Sequence, residues 1–184
     1  MRSWIFLAFI SAAIAGCASS TGTTQSNSAI TDAQYLGRTL FEDLTSSDGL
    51  EPNTSREKDL IRMIAEKDMS CAGEYKAVST FNNGANEENL FLILSSEDGV
   101  QFGRHFRFRF KARTNDLIDI TPSTKTCINV PADGDDIPYV THLLSDTPSE
   151  FHVYLSLKHK KQIFVSAGSE LWSVQNGVIS KVEK

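Results

Sequence analysis

The stretch 100–111 constrains the fold more than any other. Val100, Phe102, Phe106, Phe108 and Phe110 share one parity, and Gln101, His105, Arg107, Arg109 and Lys111 share the other. In an extended chain successive side chains point to opposite faces, so the aromatic and charged sets separate cleanly. In a helix both sets would wrap around the axis and neither could be buried as a unit. The pattern predicts a strand with one apolar and one polar face. Similar reasoning predicts strands over 74–81, 90–95, 117–120, 125–130, 139–144, 151–158, 162–167, 171–174 and 178–182. The segment 90–95 is continuously apolar, which fits a strand buried on both faces. Over 151–158, Phe151, Val153, Leu155 and Leu157 alternate with His152, Tyr154, Ser156 and Lys158. Asn176-Gly177 is a strong hairpin signal.

Ahead of these strands the period is helical. Thr31-Asp32-Ala33-Gln34 has the form of a capping box, with Ile30 placed to staple onto Tyr35. Leu36, Leu40 and Leu44 follow at four-residue intervals, and Ser46-Ser47-Asp48-Gly49 stops the helix. Thr54-Ser55-Arg56-Glu57 is a second box, before a stripe of Leu60, Ile61, Ile64 and Ala65. Within the β region no segment reads as a helix long enough to cross between parallel strands, so the sheet is expected to be antiparallel. The expected class is α+β: two N-terminal amphipathic helices, then about nine antiparallel strands forming a bent sheet, sandwich or barrel.

The first residues read differently. One positive charge at Arg2 precedes an apolar run over 4–15, which is followed by Gly16, Cys17 and polar Ser19, Ser20 and Thr21. A membrane-spanning helix needs roughly 20 apolar residues, so the run is too short to serve as one. The order of parts is that of a secretory signal. Ile14-Ala15-Gly16-Cys17 resembles the lipobox of bacterial lipoproteins. That resemblance implies cleavage between Gly16 and Cys17 and acylation of Cys17, which becomes the first mature residue. The alternative is an ordinary signal cut after Ala13-Ile14-Ala15, which would leave three cysteines in an oxidising compartment, one of them unpaired. With Cys17 lipidated, Cys71 and Cys127 remain as a pair, and a disulfide between them is expected. Ala18 follows where such lipoproteins carry Asp to remain in the inner membrane. The resemblance therefore implies an outer-membrane anchor with the domain in the periplasm. The expected organisation is a signal peptide over 1–16, a lipidated cysteine and flexible tether over 17–29, and one β-rich domain over 30–184.

Charge and composition limit the partners. The net charge of −5 becomes −6 once Arg2 is removed. An acidic chain lacks the positive footprint that nucleic acid requires, so nucleic acid is not expected as a partner. His105, Arg107, Arg109 and Lys111 form a candidate anion-binding face for an envelope polyanion. The competing expectation is an outer face whose charges are paired across strands with acids. Asp133-Gly134-Asp135-Asp136 has a passing likeness to a calcium loop but lacks the alternating ligands and the distal Glu. His105, His142, His152 and His159 show no metal-ligand spacing and are expected at the surface, so no metal and no cofactor is assigned. Gly168-Ser169 lacks the frame of a nucleophile elbow, and no catalytic residue is assigned. The expectation is a non-enzymatic binding or structural module. The alternative is a carrier of a lipid or other apolar ligand, with the strand phenylalanines and Phe151 lining a cavity under the N-terminal helices.

Overall fold

A computed structural model describes residues 21–46, 54–82, 84–95, 99–131 and 137–183. The lipobox and the acidic loop at Asp133-Gly134-Asp135-Asp136 lie outside the described residues. Among those described, the chain is α+β, with three helices, ten strands and no closed barrel. Helices α1 (Thr21–Ser46) and α2 (Ser55–Glu66) come first. Strands β1 (Glu74–Asn82), β2 (Glu87–Ser95), β4 (Phe106–Lys111) and β5 (Leu117–Pro122) form an antiparallel sheet in the order β1-β2-β4-β5. The short strands β3 (Val100–Gln101) and β6 (Asn129–Val130) pair with each other. A second sheet runs β10-β9-β8-β7, from β7 (Tyr139–His142), β8 (Ile163–Ala167), β9 (Glu170–Gln175) and β10 (Val178–Lys181). Helix α3 (Glu150–Lys158) connects β7 to β8.

Two faces of the first sheet bury two cores. Phe106, Phe108 and Phe110 join Leu90, Leu92 and Leu94 beneath Leu60 and Ile64 of α2. Phe106, Phe108 and Phe110 therefore sit in a packed core under a helix, whereas Val100 and Phe102 of the same parity join the other core. The box that starts α2 is closed in both directions: Glu57 N–H donates to Thr54 Oγ1 at 3.2 Å, and Thr54 N–H donates to Glu57 Oε2 at 2.9 Å. On the opposite face Val78, Phe91 and Ile93 pack with Leu40 of α1, Phe151 and Leu155 of α3, and the apolar side of the second sheet.

Four expectations are corrected. The strand over 151–158 is the helix α3, in which every residue from Glu150 to Ser156 is buried. Its alternation is not a solvent alternation, because the polar members have partners inside. Ser156 Oγ donates to Val153 O and accepts from Gly177 N–H, and His152 Nδ1 accepts from Ser149 N–H at 3.1 Å. A helix that buries residues on every side, polar ones included, is stable only when enclosed with partners for them, as this one is. Because α3 crosses over, β7 and β8 are parallel, so the strands are not all antiparallel.

The strand over 100–111 is broken at 102–105. Gly103 lies so close to the neighbouring segment that a Cβ there would stand 2.2 Å from Ile128 N, and Arg104 takes φ 62°. Finally, Thr31 does not cap α1. The helix runs from Thr21, across much of the expected tether, and Thr31 Oγ1 donates to Asn27 O one turn back.

The hairpin at Asn176-Gly177 is borne out, with φ of 50° and 74° as a two-residue primed turn requires. Helix α1 holds this hairpin: Arg38 Nη2 donates to Gly177 O at 3.0 Å, and Gln34 Oε1 accepts from Ile179 N–H at 2.7 Å. The second contact satisfies a donor on edge strand β10. Cys71 and Cys127 are at disulfide distance, with Cα atoms 5.9 Å apart, and bridge the segment before β1 to the segment before β6.

Candidate functional site

The polar residues of β4, with His105 just before it, are graded along one face by what covers them. His105 is fully buried and stacks on Phe151 of α3, with ring centroids 5.5 Å apart. Its Nδ1 accepts from Leu94 N–H at 3.0 Å, and its Nε2 lies 2.6 Å from Gln101 O, so one neutral tautomer satisfies both contacts. Burial drives its pKa down to about 4. Arg107 stands at the N-terminus of α3, with Nη1 3.1 Å from Glu150 Oε1. Arg109 lies beyond the end of that helix and is held by Asp119 and Glu87. The bond to Asp119 is the main reason the Arg109 pKa is raised and the Asp119 pKa lowered. Lys111 is exposed. The candidate anion-binding residues therefore share a face but not an environment: His105 is core, the two arginines carry carboxylate partners, and Lys111 is exposed.

Register turns this gradient into rows. Thr80 pairs with Asn89, Asn89 with Arg109, and Arg109 with Asp119, which places a polar row straight across four strands. One step further out, Asn82 pairs with Glu87 and Glu87 with Lys111. One step further in, Val78, Phe91 and Arg107 lie in register beneath the helices. The inner face of the sheet thus changes from apolar to polar where α3 ends. Helix α1 continues over the polar part, and between them lies a groove of about 740 Å³. Asp32, Tyr35, Thr39 and Asp43 line it from α1, and Thr80, Phe81, Glu87, Asn89 and Arg109 line it from the sheet. Its volume is that of an ordinary small-molecule site, about 300–1,000 Å³.

A smaller cavity of about 290 Å³ adjoins it, since Asp32, Leu36 and Arg107 line both. His142, Ser149 and Glu150 also face this cavity. The His142 and His152 rings meet edge to face at 5.0 Å. Burial depresses both imidazoles, His152 to about 3, where the neighbouring His142 adds to the effect. Three of the four histidines expected at the surface are thus buried: His105, His142 and His152. Ser149 Oγ is 3.0 Å from His152 Nδ1, a pairing that resembles a nucleophile and its base. Burial makes this imidazole a weak base, and the same Nδ1 accepts from Ser149 N–H, so the contact holds the first turn of α3. Thr80 Oγ1 and Arg107 Nε are buried without a hydrogen-bond partner among the described residues. Each such atom costs about 1–3 kcal/mol unless a ligand or water meets it.

The sequence pointed to one strand of this cleft and missed its other walls. Asn89 and Glu87 precede the apolar run that marks β2, and only pairing register places them beside Arg109. Tyr35 reads as part of a helix start because Thr31 mimics a cap. Comparison of the chain with protein-family models, with curated proteins and with solved structures finds no match.

Proposed function

We propose that the chain is a lipoprotein of the bacterial outer membrane, anchored through acylated Cys17, whose domain is a non-enzymatic binding module in the periplasm. The observation that carries the binding role is the groove between α1 and the polar rows of the first sheet. Its floor presents donors and acceptors together, and its arginines are neutralised by their own carboxylates. It is built to meet a polar partner. An apolar-ligand carrier has less support, because the phenylalanines of β4 are packed beneath α2. The anchoring part of the proposal is supported by the pairing of Cys71 with Cys127, which leaves Cys17 as the single remaining cysteine.

Metabolic labelling with palmitate and membrane fractionation test the anchor. The wild-type chain labels and sediments with outer membrane, and Cys17→Ser yields an unlabelled protein that is soluble or unprocessed. Normal labelling of Cys17→Ser would overturn the assignment. Photocrosslinking from position 35 in intact cells tests the cleft, with an envelope component captured there and not from exposed Lys125 on the β5–β6 connection.

A further inference from the structure

Arg107 Nε, Glu150 Oε1 and His142 Nδ1 are buried without a hydrogen-bond partner among the described residues, and all three residues line the smaller cavity of about 290 Å³. Register and helix position bring them together. Arg107 is paired with Thr121 on the sheet face beneath α1 and α3, Glu150 opens α3, and His142 ends β7. Glu150 is 5 % exposed and His142 6 % exposed, so both are withdrawn from bulk water. Arg107 Nη1 lies 3.1 Å from Glu150 Oε1, but the contact is not aligned as a hydrogen bond and leaves that oxygen without one. Buried polar atoms in native proteins are almost always bonded, so three such atoms around one cavity mark a place where a polar molecule sits.

The charges of the lining select its chemistry. Glu150 and Asp32 face the cavity with Arg107, and the N-terminus of α3 adds partial positive charge. The sum is close to neutral, which disfavours a net anion or a net cation. Locally, however, a guanidinium N–H that lacks an acceptor stands beside a carboxylate oxygen that lacks a donor. A ligand with a carboxylate and an ammonium on one carbon meets both needs, because the first only accepts and the second only donates. Such charge-assisted hydrogen bonds are stronger than neutral ones. The neutral imidazole of His142 can donate to the carboxylate or accept from the ammonium. Leu36 and Leu144 supply apolar wall for the rest of the molecule. The volume lies at the low end of ordinary ligand sites, about 300–1,000 Å³, so the ligand is small.

We propose that this cavity binds a small α-amino acid of no net charge as its zwitterion, with the carboxylate on Arg107 Nε and the ammonium on Glu150 Oε1 and Asp32. Titration calorimetry of the full chain in detergent, with glycine, L-alanine and L-leucine as probes, tests this. At least one of them binds, and its one-ended analogues, the acid without the amine and the amine without the carboxyl group, bind at least about tenfold more weakly. Asp32→Asn, at an exposed position on α1, weakens the amino acid by about tenfold and leaves the thermal unfolding temperature at the wild-type value. Arg107→Met combined with Glu150→Gln removes both charges together, so neither is left buried and unpaired, and abolishes binding. Amino-acid binding that either variant leaves unchanged overturns the placement of the ligand. Analogues that bind as tightly as the amino acid overturn the zwitterion class. Absence of binding by every probe at about 10 mM overturns the proposal and assigns the cavity to water alone.

Discussion

Acidification should destabilise this domain through its core histidines before its carboxylates titrate. His105 is wedged between β2 and β3 with both ring nitrogens engaged in the neutral form, and protonating Nδ1 would set an N–H against the Leu94 N–H that now donates to it. His152 is fully enclosed with Nδ1 accepting from Ser149. Their folded pKa values, about 4 and about 3, lie below the ordinary value of 6.5. As pH falls below 6.5 the unfolded chain takes up protons that the folded chain refuses. Stability is then complete above about pH 7 and declines towards the folded pKa values. At pH 5 each histidine has cost about 2 kcal/mol, so the pair costs about 4 kcal/mol against a typical total of 5–15 kcal/mol. His142, lowered by burial as well, adds in the same direction. Asp119 and Glu88, whose pKa values are lowered by Arg109 and Arg56, lose their stabilisation only below the ordinary carboxylate range. The window between pH 6.5 and 5 therefore belongs to the imidazoles. Urea unfolding at pH 7.5, 6.5, 5.5 and 5.0 measures the loss, and imidazole Cε1–H shifts followed by NMR show directly whether the rings stay neutral to pH 5. A free energy flat within about 1 kcal/mol over this range, or core histidine shifts titrating near 6.5, would falsify the reasoning.

Two further outcomes follow from packing and covalent structure. A Cβ on Gly37 would stand 2.5 Å from Val153 Cβ and 2.6 Å from Glu150 O, so Gly37→Ala forces α1 away from α3. Equilibrium unfolding should show a loss of about 1–3 kcal/mol, although alanine is the better helix former; a stabilised variant would mean the two helices do not approach so closely. Replacing Cys71 and Cys127 by serine frees a long loop in the unfolded chain, and the urea midpoint should fall by the equivalent of about 4 kcal/mol. In the wild type neither cysteine should react with a thiol reagent after denaturation without reductant, and two reactive thiols would rule the bridge out.

Much of the architecture was legible in local signals. The closed box at Thr54 and Glu57, the primed turn at Asn176-Gly177 and the doubly buried run over 90–95 each depend on neighbours close in sequence. Pairing of Cys71 with Cys127 followed from the cysteine count once the lipobox resemblance set Cys17 aside, and required no geometry. The cleft was half legible, because the charged parity of β4 is visible while its meaning is not. Whether Arg107 or Arg109 faces solvent, a carboxylate or a ligand depends on where α3 ends above it.

By itself the sequence determined the α+β character, the strand with an aromatic and a charged face, and the turns that separate the strands, since these arise from side-chain periodicity and local backbone preference. Only the tertiary structure decided that 151–158 is a helix. Its Ser156 and His152 side chains bond to backbone groups inside the core, so alternation there carries no information about solvent. The same enclosure made β7 and β8 parallel, put His105 in the interior, and aligned Thr80, Asn89, Arg109 and Asp119 in one row. Register between strands is a property of the assembled sheet, and a one-residue slip would have sent that row to the other face.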